Sequence, residues 1–187
     1  MRRNMDKIEK AMVFAYEKHK TQKRKTNNCP YFVHLMDVVS ILYKNDIIDE
    51  DLIVAGFLHD VVEDIEHTGV TENDLRKEFG ERVTYLVMSI TERDKSKTWL
   101  ERKTESIEHL KTASKETKLL KCADKLSNIR DIYRDMKKYG EEKTFSHFKV
   151  GKDTQQIYYR GVLEQLEEIS DTQMYKEYKR LVEKVFD

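Results

Sequence analysis

Four side chains with oxygen or nitrogen donors, His59, Asp60, Glu63 and Asp64, fall within six residues directly after the apolar run Leu52 to Leu58. If that run is a helix that continues through them, His59 and Glu63 share one face and Asp60 and Asp64 the adjacent one, because residues four apart stack above each other. A helix anchored by its apolar part would give the groups a positional precision that a loose acidic loop lacks. A lone His-Asp pair is usually structural, so the other donors matter. His34 offers a second imidazole on the polar side of a segment whose apolar face carries Leu35 and Val38. Asp124 lies between Cys122-Ala123 and Lys125-Leu126, and a carboxylate in so apolar a stretch must face water or find a cation or hydrogen-bond donors. Asn128, four residues on, shares its face. Two imidazoles and two carboxylates suit a borderline or hard divalent ion such as manganese, iron, zinc or magnesium. Such an ion, with open positions for water and a phosphate oxygen, would lower the pKa of the water, and Glu63 or Asp64 could take its proton. Arg24 and Lys25, shortly before His34, could hold a phosphate, the first through a planar fork and the second as a mobile point charge.

These groups need elements to hold them, and the composition predicts helices. One proline and six glycines in 187 residues leave few strand and loop breakers. The spacing predicts a helix over 5 to 20, then a polar, basic segment over 21 to 28 that reads as solvated surface. A second helix opens at Pro30 with Leu35, Val38, Val39 and Leu42 on one face. Asp49 or Asp51 caps the apolar helix that leads to His59. Thr71 and Asp74 form a weak capping box, and Gly80 permits the left-handed backbone that ends a helix. Thr98 and Glu101 form a proper capping box, Ser114 caps the helix that carries Asp124, and 140 to 151 is the weakest helical stretch. Residues 152 to 169 and 172 to 185 form a closing C-terminal pair within 152–187. The expectation is an all-α chain, 1–187, of about eight to ten helices around one core.

The 35 basic and 35 acidic residues cancel, so no global field attracts a nucleic acid polymer; a small anionic ligand beside a cation-binding cluster fits the local charge pattern better. The longest apolar run has seven residues, far below the roughly 20 that span a bilayer, and no membrane partner is expected. Two cysteines give no disulfide framework, which predicts a reduced, cytoplasmic chain.

Taken together, Arg24-Lys25 followed by Pro30-Tyr31-Phe32-Val33-His34, then Ala55 through His59-Asp60-Val61-Val62-Glu63-Asp64, Phe79-Gly80-Glu81-Arg82-Val83, Leu100-Glu101-Arg102-Lys103 and Lys121-Cys122-Ala123-Asp124 through Asn128 and Asp131, form an ordered set of blocks. The set resembles the HD-domain metal phosphohydrolases, specifically the hydrolase domain of RelA/SpoT-type alarmone enzymes and the small Mesh1-like alarmone hydrolases. The family's usual His-Pro reads His34-Leu35 here. The resemblance implies a single all-helical HD-type domain and a manganese-dependent removal of the 3′-pyrophosphate from guanosine tetra- or pentaphosphate. By matching position it implies metal ligands His34, His59, Asp60 and Asp124, water handled by Glu63 and Asp64, and substrate contacts from Arg24, Lys25 and Asn128. No synthetase domain fits in the chain, so hydrolysis without synthesis is expected. Two other readings stand beside it: an HD phosphohydrolase for another nucleotide or small phosphate metabolite, and a nucleotide sensor without turnover.

Overall fold

The computed structural model describes residues 6–24, 28–92 and 94–187, and among them every regular element is a helix. The chain divides into two compact units, the first holding 6–24 and 29–92, the second Asn28 and 94–187.

In the first unit α1 is Lys7–His19, opened by a reciprocal capping box between Asp6 and Glu9. α2 is Phe32–Lys44 and α3 is Glu50–Leu58, with the Asp49 side chain accepting from the Leu52 N–H. Every residue of α3 from Leu52 to Leu58 is buried, as an apolar helix at the centre of its unit must be. Gly56 sets how closely α2 lies on it: a Cβ there would stand 3.1 Å from Leu42 Cδ1 and 3.1 Å from Val39 Cγ2. Leu35, the residue in place of the family's proline, is fully buried at the start of α2.

The helix expected to run through Asp64 stops at Leu58. Residues 59–64 form successive turns, and a short α4, Ile65–Thr68, follows. Two side chains fix this break. The His59 ring donates from Nδ1 to the Gly56 carbonyl, one of the acceptors a helix end leaves unpaired, and the Thr68 hydroxyl donates to the Val61 carbonyl at 2.5 Å. Of the expected four-residue stacking, the backbone bond from Asp64 N–H to Asp60 O is kept. α5, Glu72–Phe79, has the Thr71–Asp74 capping box, and Gly80, at φ 86°, turns the chain into α6, Glu81–Met88.

In the second unit α7 is Trp99–Lys111, with the Thr98–Glu101 capping box in place. α8, Lys115–Tyr139, is capped by Ser114 and stopped by Gly140 at φ 84°. The weak stretch after it contributes the short α9, Glu141–Phe145. The C-terminal pair is α10, Lys152–Gln165, extended by a 3₁₀ turn at Glu167–Ile169, and α11, Gln173–Phe186. α11 is clamped to α8 by the fork of Arg130 on both carboxylate oxygens of Glu177, at 2.9 and 2.7 Å. The buried Tyr178 hydroxyl donates to the Tyr159 carbonyl, tying α11 to α10. The described residues thus hold eleven α-helices where about eight to ten were expected; the one-turn α4 is an addition, and of the weak stretch 140–151 only α9 is helical. No described helix is long and apolar enough to cross a membrane.

Candidate active site

In the first unit the break after α3 turns His59 and Asp60 toward the first turn of α2. His59 Nε2 lies 3.2 Å from His34 Nε2 and 2.9 Å from Asp60 Oδ2, and His34 Nε2 lies 3.6 Å from the same oxygen. Both histidines are buried, and the Asp60 side chain is 16% exposed. A carbonyl can only accept, so the bond to Gly56 puts the proton of a neutral His59 on Nδ1. Its Nε2 lone pair then points at a carboxylate oxygen and a second imidazole nitrogen, an arrangement that a cation among the three relieves. The nitrogen and oxygen donors fit a divalent metal of borderline or hard character. Burial alone would push the Asp60 carboxyl up, but where the imidazoles instead take up protons the charge and hydrogen bonds of His59 and His34 outweigh it and hold the group well below the usual carboxylate range.

Three residues that pattern reading missed complete this cluster. The Tyr31 hydroxyl donates to Asp60 Oδ2 at 2.6 Å. Burial, and then the nearby Asp60 charge, pushes the phenol well above its ordinary value, so it stays a donor. His19, at the end of α1, stacks on Tyr31 with ring centroids 5.2 Å apart, and Gln22 reaches Asp64 at 2.6 Å. For His19 and Gln22 the sequence offered only a histidine three residues before a glutamine at a helix end, whereas Tyr31 lay inside the Pro30-Tyr31 block without a role assigned to it. The stretch around it reads as solvated basic surface, whereas His19 is 1% exposed.

The remaining expected residues fall as follows. Glu63 Oε2 accepts from the Glu92 N–H at 3.1 Å, which ties the turn after α3 to the segment after α6. The Arg24 guanidinium lies over the Tyr31 ring at 5.6 Å, and its backbone N–H donates to the Cys29 carbonyl. Lys25 lies outside the described residues. Asp124 and Asn128 belong to α8 in the second unit. There the buried Asp124 carboxylate accepts from the Asn128 amide and pairs with Lys125 Nζ at 3.0 Å, the donors that its apolar surroundings demand. Burial would lower the Lys125 ammonium, but Asp124 outweighs it and keeps the lysine charged well above its ordinary value.

With this geometry in hand, the comparisons with known proteins are specific. Residues 11–160 match the HD domain family. The chain is 41% identical over 123 residues to guanosine-3′,5′-bis(diphosphate) 3′-pyrophosphohydrolase MESH1 of Danio rerio, covering 65% of this chain and 66% of that protein. It is 40% identical over 129 residues to the protein of the same name from Xenopus tropicalis, covering 68% and 70%. Among solved structures it superposes on a metazoan ortholog of SpoT that hydrolyses ppGpp, with a TM-score of 0.80, 30% identity and 98% of both chains covered.

Proposed function

The chain belongs to the HD-domain family of metal-dependent hydrolases, and on that premise we propose that it removes the 3′-pyrophosphate from guanosine tetra- and pentaphosphate. The observation that carries the reading is the convergence of His34 Nε2, His59 Nε2 and Asp60 Oδ2 at the break after α3. The substrate is the one named for relatives 40–41% identical to this chain, and the sequence blocks that resemble the family carry the residues assigned to it below. The proposed metal ligands are His34, His59, Asp60 and Asp124. Asp124 is included because it is a buried carboxylate at the matching position of the late sequence block. Manganese is the proposed ion, since this mixed nitrogen and oxygen set suits a metal that keeps water positions open rather than a closed tetrahedral site. The match to the HD domain, residues 11–160, enters both compact units, and the superposition covering 98% of this chain reaches the C-terminal helices, which together support 1–187 as a single hydrolase domain with 152–187 as its closing pair. A cytoplasmic setting belongs to the same reading and is supported by two free cysteines.

The reaction assigned to these residues is a hydrolysis. A water oxygen bonds to the phosphorus attached to O3′, the P–O3′ bond breaks, and O3′ takes a proton as pyrophosphate leaves. The bound ion would lower the pKa of that water and withdraw charge from phosphorus. A carboxylate oxygen of Glu63 or Asp64 receives the water's proton, and the backbone bond that fixes Glu63 limits its search for that geometry. Arg24 and Lys25 hold phosphate oxygens, and Asn128 orients the substrate beside Asp124.

Metal content tests the ligand set independently of turnover. After chelation, the parental protein should rebind manganese at a single site, whereas Asp124→Asn, which keeps the shape but removes a ligand charge, should bind it more than about tenfold more weakly. Equal metal retention by the two proteins would remove Asp124 from the set.

A further inference from the structure

Asp64 is held by a chain of donors and acceptors in which each choice forces the next. Gln22 Nε2 donates to Asp64 Oδ2 at 2.6 Å, joining the segment after α1 to the turn after α3. A carboxylate only accepts, so the amide nitrogen must face it, and Gln22 Oε1 is left 2.6 Å from His19 Nδ1. That oxygen also only accepts, so the imidazole proton sits on Nδ1 and the tautomer is settled. His19 cannot easily turn to undo the arrangement: it is 1% exposed, and its ring lies against Tyr31 at an interplanar angle of 20°. Tyr31 in turn donates to Asp60. One buried ring therefore braces both carboxylates, Asp64 through an amide and Asp60 through a phenol.

We propose that Gln22 is a positioning residue for hydrolysis, fixing the plane of the Asp64 carboxylate toward the attacking water, with His19 fixing the orientation of the Gln22 amide. This rests on the reading of Asp64 as a carboxylate that handles that water. Freezing one rotamer of the carboxylate before substrate arrives lowers the orientational cost of proton transfer without touching the substrate. The expected signature is thus a loss of kcat with KM little changed. A glutamine that merely packed between two segments would be replaceable by an apolar side chain of the same length.

The test uses the full chain loaded with manganese, with guanosine tetraphosphate as substrate. Gln22→Met keeps the length and loses both amide bonds. It should lower kcat by about tenfold or more, in the range that supporting residues of metal sites show, with KM within about twofold and metal content unchanged. In an Asp64→Asn background the same substitution should change kcat by less than about twofold, because the carboxylate it serves is gone. A crystal structure of Gln22→Met should show the Asp64 carboxylate turned from its parental plane. Parental kcat in Gln22→Met, the full loss repeated in the Asp64→Asn background, or an unmoved Asp64 would each overturn the proposal. A parental kcat in Asp64→Asn alone is a different result: it overturns the catalytic reading of Asp64, and the positioning role falls with it.

Discussion

Three side chains of the first unit meet at Asp60 Oδ2: the Tyr31 hydroxyl, His59 and His34 all address it. Residue types and spacing offered His34, His59 and Asp60 as candidates, although a His-Asp pair by itself is usually structural. Tyr31, Gln22 and His19 were not legible in the same way, because their roles come from a ring stack and from a bond between residues 42 apart in sequence. At this scale two substitutions separate chemistry from binding. Glu63→Gln keeps an oxygen for the Glu92 N–H but loses the basic carboxylate, so single-turnover hydrolysis should slow by roughly 10² while substrate binding is retained. A parental single-turnover rate would assign the proton to another group. Arg24→Ala removes the fork proposed to hold phosphate and also uncovers Tyr31, and should chiefly raise KM. An unchanged KM with unchanged kcat would place Arg24 outside the substrate site.

Helix ends decide where the site forms. Capping boxes at Thr71 and Thr98 and the stop at Gly80 could be read directly, because each is written in residues three apart or in a single glycine. The end of α3 could not, since polar residues after Leu58 continue at helical spacing. The break depends on the His59 side chain and on Thr68, seven residues from the carbonyl it holds. α4 was missed, and the stretch holding α9 read only as weakly helical, for a related reason: helices of four and five residues carry little more than one turn of periodicity. The α2–α3 approach at Gly56 gives a test of how packing serves the site. Gly56→Val would drive branched carbons into Leu42 and Val39, costing about 1–3 kcal/mol of overpacking. Because α2 carries His34, the expected outcome is a lower denaturation midpoint together with weaker manganese retention. A valine variant with parental stability and metal content would show that this close approach does not set the histidine pair.

At the level of the whole chain, formal charge is zero with basic and acidic clusters mixed, and the match to the HD domain, residues 11–160, enters both of its compact units. Burial pushes the Cys122 thiol far up, whereas Cys29 is only half-buried. Alkylation under native conditions should therefore spare Cys122, whose labelling should become fast only when α8 opens; rapid native labelling would contradict the packing around it. The fold class was legible from the scarcity of proline and glycine, whereas the reacting phosphate was legible only through the ordered blocks that resemble the alarmone hydrolases, since helices and a metal cluster by themselves serve many phosphate esters. Product identification settles that most directly. Manganese-loaded protein is incubated with guanosine tetraphosphate, guanosine triphosphate or a deoxynucleoside triphosphate, and the products are resolved. The predicted result is pyrophosphate and guanosine diphosphate in equal amounts from guanosine tetraphosphate, lost on chelation and restored by metal. Orthophosphate as the released product, or no product from guanosine tetraphosphate by protein shown to hold its metal, would contradict 3′-pyrophosphate hydrolysis as the activity of this chain.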